Sequence, residues 1–180
     1  MPDYKDDIIW WNKFKEGDKQ AFDSLFRHYY PVLFQYGSRL CPDTFLLEDS
    51  IQELFIELWQ SKSSSQVQSV KAYLLKSLRY KLFRQLKKIQ TDRPVDHLEE
   101  EMNFEVSHDQ FLILQEEKNQ VNRKIIDAVN KLPNRQKEIV FLKIYQGLNY
   151  EEISEIMGIN YQVARNLFHQ SVRSLRMLIM

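Results

Sequence analysis

The chain is poor in the residues that punctuate folded proteins. Four glycines and five prolines among 180 residues cannot supply the frequent turns of β-sandwiches and barrels, so helices are expected instead. A single cysteine, Cys41, excludes an internal disulfide and any multi-cysteine zinc site. It fits a reducing, cytoplasmic setting. No apolar run approaches the roughly 20 residues that span a bilayer, so no membrane insertion is expected. Asp3, Asp6 and Asp7 stand where a signal peptide would carry a basic segment. Neither G-x-G-x-x-G nor G-x-x-x-x-G-K-[ST] occurs, and no cofactor is expected. Net charge is missing too. With 25 Lys+Arg against 25 Asp+Glu, the whole chain lacks the basic excess that phosphate binding favours.

What is there is the distribution of those charges. Residues 1–92 carry a net +2, residues 93–120 a net −6 and residues 121–180 a net +4. Helical patterning holds to Asp92, breaks at Arg93-Pro94, and resumes from Val121. Between the breaks Asp96, Glu99, Glu100, Glu101, Glu105, Asp109, Glu116 and Glu117 face only Arg93 and Lys118. The expected fold is therefore all-α, with two small helical domains at 1–92 and 121–180. They are joined by an acidic linker at 93–120, long enough to count as a segment in its own right.

Three helical stretches carry candidate surfaces. In residues 70–89, Val70, Leu74, Leu75, Leu78, Leu82, Leu86 and Ile89 share a core face. Tyr73, Lys76, Tyr80, Arg84 and Lys87 share another. Cations with interleaved rings suit melted nucleic acid, phosphates meeting the charges and unpaired bases the rings; a solvated basic face would show the same pattern. In residues 43–60, Leu47, Ile51, Leu54, Phe55 and Leu58 form the core side. Asp49, Gln52, Glu53 and Gln60 oppose it, with Ile56 among them. An isoleucine centred on a polar face suits a partner surface, although single exposed apolar residues are common.

Leu148–Ser171 reads as a helix-turn-helix. Asn149 caps the first helix with Glu152 at the capping-box position, Gly158 suits the left-handed turn, and Asn160 caps the second helix. Ile159, Val163, Ala164, Leu167 and Phe168 are expected inside, leaving Tyr161, Gln162, Arg165, Asn166 and His169 outward. Arg, Asn and Gln pair with guanine and adenine edges in the major groove. Asn160 and the helix N-terminus suit a backbone phosphate, and Arg173 and Arg176 extend the basic side.

Catalysis is not expected. Cys41 precedes Pro42 at an interhelical turn without a nucleophile signature, and His28, His97, His108 and His169 lack metal-ligand spacing, so no metal is expected either. Trp10, Trp11 and Trp59 suit core or interface.

At these residues the chain resembles the extracytoplasmic-function (ECF) sigma factors of the bacterial sigma-70 family. G-D-K-Q-A-F at Gly17–Phe22, L-E-D-S-I-Q-E-L-F-I-E-L-W at Leu47–Trp59, L-P-N-R-Q-K-E-I at Leu132–Ile139 and G-L-N-Y-E-E-I-S-E-I-M-G-I-N at Gly147–Asn160 are similar to the family's motifs, in the family's order. The resemblance implies a sigma-2-like bundle and a sigma-4-like helix-turn-helix bundle. It implies a promoter-specificity subunit that recognises −10 and −35 elements and assists DNA melting. The alternative is a helix-turn-helix regulator that does not engage core polymerase.

The resemblance assigns Asp49, Gln52, Glu53 and Ile56 to core RNA polymerase. It assigns Tyr73, Lys76, Arg79, Tyr80, Arg84 and Lys87 to the −10 element, and Asn160, Gln162, Arg165, Asn166, His169 and Arg173 to the −35 element. Its expected partners are core RNA polymerase, promoter DNA and an anti-sigma factor. The acidic linker would run toward the RNA-exit path, its charge standing in for nucleic acid. Two positions depart from the family pattern. Arg79-Tyr80 replaces Arg-Asn, so a ring that can stack stands where an amide would hydrogen-bond. Val163-Ala164-Arg165 replaces Thr-Val-Lys and loses a hydroxyl.

Overall fold

The computed structural model describes residues 4–61, 67–89, 103–106 and 119–179. The chain divides into two compact units, Met1–Arg93 and Pro94–Met180. Both are helical, with no strand among the described residues.

The first unit contains α1 (Tyr4–Lys15), α2 (Lys19–Leu40), α3 (Thr44–Ser61) and α4 (Val70–Ile89). Short polar residues set their boundaries. Gly17 turns the chain at φ 94°. Asp18 then caps α2, its carboxylate accepting the Gln20 and Ala21 N–H groups at 2.8 and 3.1 Å. Asp43 caps α3 the same way, accepting the Leu46 N–H at 3.1 Å. Apolar spacing buries Leu25, Leu33 and Tyr36 of α2, Leu47, Ile51 and Leu54 of α3, and Leu74, Leu75, Leu78 and Leu82 of α4. Trp11, Phe14, Phe22, Phe55 and Trp59 add edge-to-face and tilted ring contacts with centroids 5.0–6.1 Å apart. Of the tryptophans expected in core or interface, Trp11 is buried and Trp10 and Trp59 are half-buried. The Tyr29 hydroxyl donates to buried Asp7 at 2.5 Å and ties α2 to α1. Cys41 is buried, and desolvation pushes its thiol pKa up; it behaves as a small apolar side chain.

Gly37 lets α2 meet α3 and α4 closely. A Cβ there would lie 2.3 Å from Leu47 Cδ1 and 3.2 Å from Leu78 Cδ2. Alanine would gain roughly 1 kcal/mol of helix propensity, but overpacking costs about 1–3 kcal/mol. Gly37→Ala should therefore lower the unfolding free energy by up to about 2 kcal/mol in urea titration. A raised midpoint would show that Leu47 swings clear.

The second unit contains α5 (Asn119–Asn130), α6 (Asn134–Val140) continuing into a π-helical turn at Phe141–Tyr145, α7 (Tyr150–Met157) and α8 (Tyr161–Ile179). Ile126, Val129, Ile139, Leu142, Leu148, Ile153, Ile156, Met157 and Ala164 form its core.

Most of the expected acidic connector, including Arg93, Asp96, Glu99, Glu100, Glu101, Asp109, Glu116, Glu117 and Lys118, lies outside the described residues, as do His97 and His108. Of the expected linker, only residues 103–106 are among the described residues. Phe104 and Val106 are buried within the second unit, their main-chain N–H groups donating to Asn134 and Asn130.

Candidate functional site

On α3 the outward stripe is longer than its sequence motif. Asp49 and Gln52 are exposed, Ile56 is 55% exposed and Phe45, one turn before Asp49, is 86% exposed. Phe45, Asp49, Gln52 and Ile56 recur at spacings of four, three and four, which keeps them in line along the helix. An aromatic and an aliphatic group thus bracket two polar groups over roughly 16 Å. Phe45 was not singled out in the sequence, because nothing local says whether an aromatic at a helix start turns in or out.

Glu53 lies beside this stripe rather than on it. Its carboxylate and that of Glu57 receive the Lys81 ammonium of α4 at 3.0 and 2.7 Å. Burial pulls the Lys81 pKa down, but the hydrogen bonds and charges of Glu57 and Glu53 outweigh it and hold the pKa above the ordinary lysine value. Glu53 is therefore engaged between helices while its other side stays exposed.

The α4 face splits the expected −10 set. Lys76, Arg84 and Lys87 are exposed and Tyr80 is 65% exposed, so four of the six share an accessible stripe. Tyr73 is half-buried, its ring edge-on to Trp11 at 5.3 Å. Arg79 is buried, its guanidinium 4.4 Å over the Phe83 ring. Both positions, which the resemblance assigns to the −10 element, pack within the unit, Arg79 because a long side chain near the core edge gains more by covering an aromatic face than by reaching water. Between α3 and α4 an open groove of about 420 Å³ is lined by Glu53, Glu57, Tyr80, Lys81, Arg84 and Lys88 among others. One wall is acidic and the other basic.

The helix-turn-helix is built by local hydrogen bonds. The Glu152 N–H donates to Asn149 Oδ1 at 2.8 Å while the Asn149 N–H donates to Glu152 Oε2 at 2.9 Å, closing the capping box. Gly158 adopts φ 64°, ψ 34°, which only a residue without Cβ takes freely. The Val163 N–H donates to Asn160 Oδ1 at 2.8 Å, capping α8. Ala164 and Ser171 are buried, while Gln162, Arg165, Asn166, His169 and Arg173 are exposed along one side. Gln162 Nε2 donates to Asn166 Oδ1 at 3.0 Å, which fixes both amides relative to each other. Val163, expected inside, is 45% exposed beside this face, and Ile159, Leu167 and Phe168 are half-buried. An exposed valine one turn from the Asn166 amide offers an apolar contact for a thymine methyl.

Residues 25–91 match the model of sigma-70 region 2, and residues 122–175 match that of sigma-70 region 4. The ECF RNA polymerase sigma factor SigK of Mycobacterium sp. (strain JLS) is 22% identical over 176 residues, covering 89% of this chain and 84% of its own. SigK of Mycobacterium bovis (strain BCG / Pasteur 1173P2) is 23% identical over 164 residues, covering 88% and 86%. CnrH, solved in complex with the cytosolic domain of CnrY, superposes with a TM-score of 0.63 at 16% identity, covering 97% of each chain. The sigma factor RpoE of Bartonella quintana, solved with the anti-sigma factor NepR, gives 0.62 at 20% identity, covering 89% of this chain and 97% of that one.

Proposed function

The chain belongs to the sigma-70 family, as a sigma factor of the ECF type, and from that premise we propose how its surfaces divide the work of promoter-specific initiation. The observation that carries the reading is that regions 2 and 4 lie on one chain, each with an outward stripe of base- or phosphate-seeking side chains. As a sigma subunit of RNA polymerase the chain directs the enzyme to promoters and performs no chemistry of its own.

On α3, Phe45, Asp49, Gln52 and Ile56 dock on core RNA polymerase, with Glu53 steadying the helix through Lys81. On α4, Tyr80 offers a stacking platform to an unpaired base of the −10 element, and Lys76, Arg84 and Lys87 hold its phosphates. On α8, Gln162, Arg165, Asn166 and His169 read the −35 element in the major groove, while Asn160 and Arg173 meet phosphates. Work on DNA assigns the protein to the cytoplasm. Among the described residues no helix is long and apolar enough to cross a membrane. The two solved neighbours are each bound to another chain, one of them named an anti-sigma factor; this supports an anti-sigma partner here too. The alternative, a regulator that ignores polymerase, leaves the Phe45–Ile56 stripe without a task.

Run-off transcription with core polymerase on a genomic fragment library tests the reading directly. Discrete promoter-dependent products are expected; duplex binding without any stimulated transcript would favour the simple regulator. On a promoter found this way, Arg165→Ala should cost about 1–3 kcal/mol of discrimination at one −35 position. A uniform loss across all sequences would make Arg165 a phosphate contact.

A further inference from the structure

We infer that residues 103–106 are a docked strap that fixes where the second unit is tethered, and through this the spacing between −10 and −35 elements that the protein accepts. The spacing claim rests on the promoter reading above; the strap itself does not.

The segment has the marks of an extended peptide held in a groove. Phe104 and Val106 are 1% and 3% exposed, while Asn103 and Glu105 between and beside them are exposed. That alternation is the period of extended chain. The Val106 N–H donates to Asn130 Oδ1 at 3.1 Å, and Asn130 Nδ2 donates to the Val106 carbonyl at 2.8 Å. One side-chain amide thus satisfies both main-chain groups of one residue, as a neighbouring strand would. The Phe104 N–H donates to Asn134 Oδ1 at 3.3 Å, and its ring sits 5.7 Å from that of Phe141. The end of α5, the start of α6 and the π turn therefore make a site for an apolar-x-apolar peptide. The amides hold the backbone, and the two side chains are buried. Its occupant is the chain's own segment 103–106.

Docking shortens the tether. With the strap seated, residues 90–102 are all the chain between the end of α4 and the strap's groove, and a chain of that length spans at most roughly 45 Å. A connector free as far as α5 would reach roughly 100 Å. The difference exceeds ten base-pair steps of about 3.4 Å, so a seated strap limits which spacings the two reading faces can serve together, and a released one does not.

The test uses the full chain. In amide hydrogen exchange the Val106 N–H should be protected, and Asn130→Ala should speed its exchange by at least about tenfold. An unprotected Val106 in the native protein would overturn the strap. Run-off transcription with core polymerase, on promoters whose spacer varies by single base pairs, should show a narrow optimum for the native protein. The profile should broaden for Asn130→Ala and Phe104→Ala, with activity at the optimum retained. A short Gly/Ser insertion before Met102 leaves the groove untouched and should broaden the profile as well. Identical profiles for native protein and insertion variant would overturn the spacing role. No transcription from any promoter would overturn the promoter reading and the spacing role together, while the exchange result would still decide the strap.

Discussion

Phe45→Asp and Ile56→Asp should each weaken binding to core RNA polymerase by at least about 30-fold, while leaving the protein folded. The magnitude follows from the position of the two side chains. Apolar anchors that become fully desolvated at the ends of a contact typically cost about 2 kcal/mol or more on removal, and each 1.4 kcal/mol is about tenfold. A buried aspartate facing an apolar socket adds its own desolvation penalty. The fold should tolerate both changes, because Phe45 is 86% and Ile56 55% exposed. The regular recurrence of Phe45, Asp49, Gln52 and Ile56 also specifies the partner's shape. A stripe of this kind meets a helix running alongside it, as positions a and d meet across a coiled coil. Glu53→Gln is the discriminating control. Lys81 would keep Glu57 at 2.7 Å, so the loss of one partly exposed carboxylate should change affinity little. Binding constants from anisotropy titration with labelled protein check all three. Unchanged affinity for Phe45→Asp with a loss for Ile56→Asp would shorten the stripe to its motif. Unchanged affinity for both would remove α3 from the contact.

Sequence reasoning was strongest where structure is made by neighbours in the chain. Asn149, Glu152, Gly158 and Asn160 act within three residues of themselves, and each occupies its expected place. The direction of α4 was equally legible, because leucines at helical spacing admit one buried side. What failed were residues at the edge of a face, whose burial depends on what another element covers. Arg79 lies at such an edge and turns onto Phe83. Tyr73 lies at another and is reached by Trp11 of α1, far away in sequence. Val163 shows the opposite error; it stands next to buried Ala164, but a chain neighbour on a helix lies about 100° round from it, off the buried side. The strap was missed for a compositional reason. The acidic residues around Asn103–Val106 masked a two-residue alternation too short to register, and its receptor groove is supplied by Asn130 and Asn134.

The same distinction between edge and face decides the second large effect. Tyr80→Ala should reduce opening of the −10 region by roughly one to two orders of magnitude, since stacking of an unpaired base on an aromatic ring contributes about 1–3 kcal/mol. Tyr80→Phe should retain most of the activity, because the ring and not the hydroxyl does the stacking. Tyr80 is 65% exposed, so neither change should disturb packing. Tyr73→Ala should behave differently. Its ring packs on Trp11, and truncation there should lower stability first and opening only as a consequence. Arg84→Ala separates charge from stacking. Loss of one phosphate contact should weaken binding evenly across sequences and reduce the salt slope by about one, without a selective loss of melting. Permanganate reactivity of −10 thymines in polymerase–promoter complexes reads opening, and thermal unfolding reads stability. Normal opening by Tyr80→Ala, with opening lost only in the unstable Tyr73→Ala, would return the α4 stripe to an ordinary solvated face. Loss in Tyr80→Ala with rescue by Tyr80→Phe would identify the aromatic plane as the group that captures the melted strand, in a chain where a ring stands in the place of the family's amide.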